Sequence, residues 1–116
     1  MYALDDHPMT FHPGAFADER LVGVASLLPE TPDGEIQSRL WRVRGMAVEP
    51  DQRGRGCGHQ LLEACLHAAR ERGGTRVWCN ARTTAAGFYD RHGFRVEGDA
   101  FSLPGIGPHF RMVVEL

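Results

Sequence analysis

Between Val48 and Leu61 the chain reads VEPDQRGRGCGHQL, with Gly54, Gly56 and Gly58 alternating with Arg53, Arg55 and Cys57. A strand-like run ends just before it and a helical pattern starts just after it. A strand, a glycine-rich turn and a helix make a site for an anion, because the first helical turn has unpaired N–H groups and the positive end of the helix dipole. Glycines let backbone approach a ligand with no Cβ in the way. Arginines on either side add charge-assisted contacts to a diphosphate. The competing reading is a surface turn with solvated arginines.

The pattern narrows the choice of nucleotide. No Lys-Ser/Thr pair follows the glycines, so a phosphate loop for Mg-nucleotide hydrolysis is excluded. Leu61 occupies the place of the third glycine in a dinucleotide fingerprint, and no acidic residue ends a following strand where that fold requires it.

Other side chains with chemical potential are weaker signals. His59, Glu63 and His67 recur every four residues on one helix face, a spacing that suits metal ligands. They lie opposite the apolar stripe, and no fourth ligand follows in the sequence, so they are read as a solvated face and no metal is assigned. Cys57, Cys65 and Cys79 form no CxxC pair and are read as free, packed thiols of a reducing compartment.

The elements that must position these residues follow from periodicity. Residues 10–16 and 20–28 read as two extended segments joined by a polar turn. Residues 29–37 are a loop by composition. SRLWRVRGMAV alternates as a strand with one more buried end, setting Trp41, Val43 and Gly45 against Leu40, Arg42 and Arg44. Leu61, Leu62, Cys65, Leu66 and Ala69 mark an amphipathic helix that stops at Gly73-Gly74, with Arg70 and Arg72 in its last turn. TRVWCNA is expected to be a central strand. TTAAGFYDRHG reads as a short helix capped by Thr83 or Thr84 and ended by Gly93. Residues 94–103 and 109–116 complete the order β-β-β-α-β-α-β-β, which one mixed sheet covered by helices satisfies most economically. The βαβ unit across the glycines should be parallel.

Bulk composition bounds the function. The 116 residues are 42% hydrophobic and 24% charged with a net charge of −2, as expected of one soluble domain spanning 1–116. The charge gives no pull toward nucleic acid, and no apolar run approaches the roughly 20 residues of a membrane span. The first residues lack the basic and apolar regions of a signal peptide, so a cytoplasmic setting is the expectation.

Arg53-Gly54-Arg55-Gly56-Cys57-Gly58 matches the Q/R-x-x-G-x-G/A pyrophosphate loop of the GNAT superfamily of acyl-CoA-dependent N-acetyltransferases, which this chain resembles. A second match, AAGFYDRHGFRVEG at residues 85–98, looks like that family's short helix with an aromatic pair followed by a strand. The resemblance covers about residues 20–116. It implies a GNAT-like α/β fold with a central mixed sheet flanked by helices, and with the N-terminal strand and helices reduced or missing. An uncovered sheet edge would then favour a homodimer.

The resemblance also implies a mechanism, the transfer of acetyl from acetyl-CoA to a primary amine of a small molecule or peptide by direct attack in a ternary complex. Acetyl-CoA would lie where the strand ending at Val48 splays from the strand around residues 77–80. Backbone of Gly54 to Gly58, with Arg53 and Arg55, would hold the pyrophosphate. Amides at Met46, Ala47 and Val48 would hold the pantetheine arm, with Phe88 and Asn80 beside it. Tyr89 matches the tyrosine that protonates the leaving thiolate, and its other reading is a core aromatic next to Phe88. Asn80 could alternatively cap a turn, and Arg82 reach a phosphate. Cys57 is expected to pack rather than react. The general base is open among His12, Glu35 and His109, with Glu49 set aside. The loops at 29–37 and 103–109 are expected to border the acceptor pocket. The alternative to an enzyme is a catalytically inactive CoA-binding module.

Overall fold

The computed structural model describes residues 10–17, 19–31, 39–49, 56–105 and 107–116. The expectations for the first eight residues, for Glu35, and for Arg53, Gly54 and Arg55 lie outside the described residues.

Strands β1 (Gly14–Ala17), β2 (Arg20–Pro29) and β3 (Leu40–Val48) lead into helix α1 (Cys57–Glu71) and strand β4 (Arg76–Arg82). A 3-10 turn (Thr83–Ala85), helix α2 (Ala86–Asp90) and strands β5 (Arg95–Val96), β6 (Phe101–Leu103) and β7 (Gly107–Glu115) follow. The described strands form one mixed sheet in the order β1-β2-β3-β4-β7-β5, with β6 also paired to β7. β4 lies between β3 and β7, the central place expected for TRVWCNA. Its pairing with β3 is parallel and with β7 antiparallel.

One apolar cluster joins the sheet to both helices. Leu61, Leu62, Cys65, Leu66, Ala68 and Ala69 of α1 meet Val22, Ala25 and Leu27 of β2, Trp41 and Val43 of β3, and Val77, Cys79 and Ala81 of β4. α2 and the turn after it add Tyr89 and Phe94. Burying a side chain of this size contributes about 1.5–3 kcal/mol, so this cluster, more than helix propensity, holds α1 in place. The opposite face of β4 carries Trp78, Asn80 and Arg82, by the two-residue period of a strand. Trp78 is buried there, with Nε1–H donated to the Glu30 carbonyl at 2.6 Å and the Arg42 and Arg111 guanidinium groups over its ring.

Three local expectations are corrected. The alternation of β3 is broken at Gly45, whose φ of 66° lies in the left-handed region. The β2–β3 register slips between Val24 and Ser26 at the same level. Such a bulge inserts one residue and turns the following side chains over. Trp41 and Val43 therefore face the core, as do Met46 and Val48, rather than Gly45. Second, neither Thr83 nor Thr84 caps a helix. β4 runs directly into the 3-10 turn, so both threonines lie inside it, and Ala85 stands at the N-cap of α2 with no side-chain capping bond. Third, residues 94–103 are two short strands and not one. Gly98, at φ 82°, bends the chain between them.

No helix among the described residues is long and apolar enough to cross a membrane.

Candidate active site

The parallel ladder between β3 and β4 has three register pairs, Leu40 with Arg76, Trp41 with Val77 and Arg42 with Trp78. Beyond Arg42 and Trp78 the pairing stops while both strands continue. The bulge at Gly45 accounts for this. It bends β3 and increases its twist, while β4 stays in register with β7 through Arg82. The strands part into a cleft of about 300 Å³, lined from β3 by residues 42–46, from β4 by Asn80, Ala81 and Arg82, and further by Ala85, Tyr89 and His109.

Asn80 stands in this cleft with its side-chain oxygen Oδ1 buried and no hydrogen-bond partner among the described residues. A buried amide oxygen without a donor costs about 1–3 kcal/mol, so the site is completed by a ligand or water that supplies an N–H or O–H.

Tyr89 belongs to both the core and the cleft. Its ring packs edge-on to Phe88 and Phe94, with centroids 5.1 and 5.4 Å away. The residue is 8% exposed and lines the cleft. Burial, with the nearby Cys79 and Cys65 thiols as smaller causes, pushes its phenol above the ordinary tyrosine range. The hydroxyl therefore stays protonated at neutral pH. The same burial pushes Cys65 and Cys79 up to about 12, so both are inert neutral thiols, and neither is a nucleophile.

Of the three residues considered as a base, His109 alone lines the cleft among the described ones. It is 5% exposed, and its Nδ1–H donates to the Gly107 carbonyl at 2.9 Å. That bond leaves the Nε2 lone pair as the acceptor of the neutral ring. Phe101 stacks on the ring, with centroids 6.1 Å apart. His12 is elsewhere, exposed and bonded to Ser26 Oγ at 2.9 Å.

The electrostatics are set by arginines. Arg42, Arg44 and Arg82 line the cleft with no acid among its described lining residues. Glu30 sits just behind, 3.3 Å from Arg42 and 3.7 Å from Arg44, and offsets part of the charge. The signal for Arg42 and Arg44 was present in the sequence, as two charges on a strand whose neighbours are apolar.

The remaining sequence candidates are distributed around the cleft. Met46 lines it, whereas Ala47 and Val48 border a separate depression with residues 21–24 and Glu49. Gly56 is the N-cap of α1 at φ 85°, a conformation that glycine adopts without strain. No side chain among the described residues caps this helix, and its first turn holds no acid. Gln60 N–H makes the first intrahelical bond, to the Gly56 carbonyl at 3.0 Å. The amides of Cys57, Gly58 and His59 thus have no acceptor within the helix. The Cys57 side chain packs against the core. Phe88 lies against Gly58, where an added Cβ would come within 3.4 Å of its ring, and not in the cleft lining.

The family profile described as "Acetyltransferase (GNAT) domain" matches residues 3–116. The protein named Uncharacterized N-acetyltransferase YitI of Bacillus subtilis is 35% identical over 111 residues, which cover 96% of this chain and 74% of that protein. A putative N-acetyltransferase from Lactobacillus plantarum superposes with a TM-score of 0.73 at 26% identity, covering 86% of this chain and 64% of that one. The PaiA N-acetyltransferase from Thermoplasma acidophilum, solved in complex with coenzyme A, has a TM-score of 0.71 at 21% identity, covering 92% and 61%. At that identity the likeness is one of fold. The chain thus spans less than two thirds of the length of both solved relatives.

Proposed function

The chain belongs to the acetyltransferase (GNAT) family, and from that premise we propose that it transfers an acetyl group from acetyl-CoA to a primary amine of a small molecule or peptide, both being bound at once. The observation that carries this reading is the parting of β3 and β4 beyond Arg42 and Trp78, with the Asn80 oxygen inside the gap and without a partner among the described residues.

Coenzyme A fits the residues present. The Asn80 Oδ1 acceptor suits an amide N–H of the pantetheine arm. The amides at Cys57, Gly58 and His59 suit a diphosphate, to which Gly54, Gly56, Arg53 and Arg55 would contribute as the sequence motif suggests. Phe88 supports this end of the site from behind Gly58. Met46, and the backbone of Ala47 and Val48, would flank the arm from β3. A coenzyme A protein of the same fold favours this assignment. Acetyl-CoA, when bound, supplies the activated thioester that the amine attacks.

The chain's own residues handle protons. Tyr89 presents an O–H to the sulfur as negative charge develops there. Burial keeps the phenol protonated at neutral pH, so its O–H is available to the leaving thiolate. His109 Nε2 receives the proton of the incoming ammonium, directly or through one water, while Nδ1–H held by Gly107 fixes the tautomer. The cleft arginines attract anionic groups of the cosubstrate and hold them against solvent.

The test is ligand-dependent stabilisation, with acetyl-CoA, ATP and NAD compared in a thermal-shift assay. Acetyl-CoA alone is expected to raise Tm. Stabilisation by ATP or NAD without any by acetyl-CoA overturns the reading.

A further inference from the structure

Outside the cleft, the fold brings three ligating side chains together from two elements. His59 and Glu63 stand one turn apart on α1, and His92 follows α2, 33 residues beyond His59 in sequence. One nitrogen of each ring and one carboxylate oxygen lie within 4.8 Å of one another. His59 Nδ1 is 2.8 Å from His92 Nε2, and His92 Nε2 is 4.0 Å from Glu63 Oε1. The helix face at residues 59, 63 and 67 therefore divides. His67 pairs with Glu71, and His92 replaces it as the third member of the group.

We propose that His59, Glu63 and His92 form a binding site for one divalent transition-metal ion of the zinc type, with a solvent molecule as fourth ligand. Two imidazole nitrogens and one carboxylate suit a borderline ion such as Zn²⁺ or Co²⁺ over Mg²⁺ or Ca²⁺, which prefer oxygen ligands.

The orientation of His92 is the observation that separates this group from a chance surface cluster. Its Nδ1–H donates to the Phe88 carbonyl at 2.9 Å. A carbonyl only accepts, so Nδ1 carries a proton, and in the neutral ring the Nε2 lone pair points at His59 and Glu63. A ligating histidine is held in this way, by a hydrogen-bond acceptor on its other nitrogen. The ring is 9% exposed and packed beside Phe88, with centroids 4.9 Å apart, so its direction is fixed before any ion arrives.

The spacing is within reach of coordination. Ligands about 2.0–2.1 Å from a tetrahedral ion are about 3.3 Å apart. The two nitrogens must open slightly and the Glu63 oxygen must close slightly. Both His59 and Glu63 are exposed and have rotamers available for this. In the metal-free protein His59 Nδ1–H donates to His92 Nε2. Coordination by Nδ1 requires that ring proton to move to Nε2 of His59. The ion would tie α1 to the turn after α2, and so to the segment that carries Tyr89.

The test uses the whole chain without added cosubstrate, titrated with Co²⁺ and with Zn²⁺. Visible d–d bands of a four-coordinate Co²⁺ ion are expected, saturating at one equivalent and displaced by Zn²⁺. Zn²⁺ at ten times its Kd should raise Tm by about 5 °C, and Mg²⁺ should not. His59→Ala and Glu63→Gln, both at exposed positions, should weaken Zn²⁺ binding by at least about tenfold each while keeping the Tm of the metal-free protein. His92→Gln should abolish the bands. Unchanged binding in His59→Ala and Glu63→Gln overturns the site. So does a thiolate-to-cobalt charge-transfer band that is lost in Cys57→Ser, since that ion would belong to the cysteine. Absence of saturable binding leaves a simple imidazole–imidazole hydrogen bond and also overturns it.

Discussion

Arg42 and Trp78 are the last register pair of the parallel ladder at the centre of the sheet, and their side chains also stack, with the guanidinium 4.8 Å from the ring centroid. Below this pair the sheet is continuous and covered by α1. Beyond it the strands part around Asn80 and Tyr89. Of the two, Arg42 lines the cleft at the point where the pairing ends.

Asn80 contributes an acceptor whose donor comes from the bound ligand. Asn80→Ala should raise the KM for acetyl-CoA by roughly fivefold, the worth of one hydrogen bond of about 1 kcal/mol. Stability should change little, because an unpartnered buried oxygen is removed along with the contact. Steady-state kinetics and a Tm measurement read both. An unchanged KM removes Asn80 from the cosubstrate site.

His109 is proposed to take the amine's proton. His109→Gln should lower kcat/KM for the amine at neutral pH by about 10- to 100-fold. The deficit should shrink as pH rises toward the pKa of the amine, where the substrate no longer needs a base. A deficit that is constant with pH would assign His109 to packing against Phe101 instead.

Burial of Cys65, Cys79 and Tyr89 makes stability depend on alkaline pH. Each group ionises more easily in the unfolded chain, from ordinary values of 9.0 for the thiols and 10.0 for the phenol, than in the fold, where the thiols stand at about 12. Above pH 9 the unfolded state releases protons that the folded state keeps, so stability falls as pH rises through that window. The two thiols together should cost on the order of 3 kcal/mol at pH 10 relative to neutral. Urea midpoints at pH 7.5, 9 and 10 measure the fall, and Cys65→Ala with Cys79→Ala should flatten it. An equal slope in the double variant would contradict the assignment.

Gly45 sets the bulge from which the cleft opens. A β-branched residue at φ 66° is strained by about 1–2 kcal/mol. Gly45→Val should therefore lower Tm and, by relaxing the bulge, reduce the thermal shift produced by acetyl-CoA. A variant equal to the parent in both would show that the parting of the strands has another cause.

Much of this architecture was legible in the sequence. The spacing of Leu61, Leu62, Cys65, Leu66 and Ala69 defined α1, and the apolar run at residues 77–79 marked β4 as central, because each pattern reflects burial on one face or on both. The bulge was not legible. Gly45 in a run of alternating residues looks like any small residue, and only its positive φ reveals that Met46 takes the place Gly45 was expected to hold. The threonines at 83 and 84 resembled caps because capping preference is local, whereas β4 extends to Arg82 through its tertiary pairing with β7. At the site, Tyr89 and Asn80 came from a motif, and the cleft lining includes both. His92 could not be paired with His59 from spacing, since α1, β4 and α2 all intervene before the chain returns.

Tyr89 is proposed to supply the O–H that assists acetyl transfer in this cleft. Release of free CoA thiol from acetyl-CoA, followed across a panel of primary amines for the parent chain and for Tyr89→Phe, tests it most directly. Phenylalanine keeps the ring packed against Phe88 and Phe94 and removes only the hydroxyl. The parent is expected to release thiol in an amine-dependent way, and Tyr89→Phe to show a kcat lowered about 100-fold with the KM for acetyl-CoA within about threefold. Equal turnover by the two proteins would contradict the role of Tyr89, and binding of acetyl-CoA with no thiol release from any amine would contradict the activity itself.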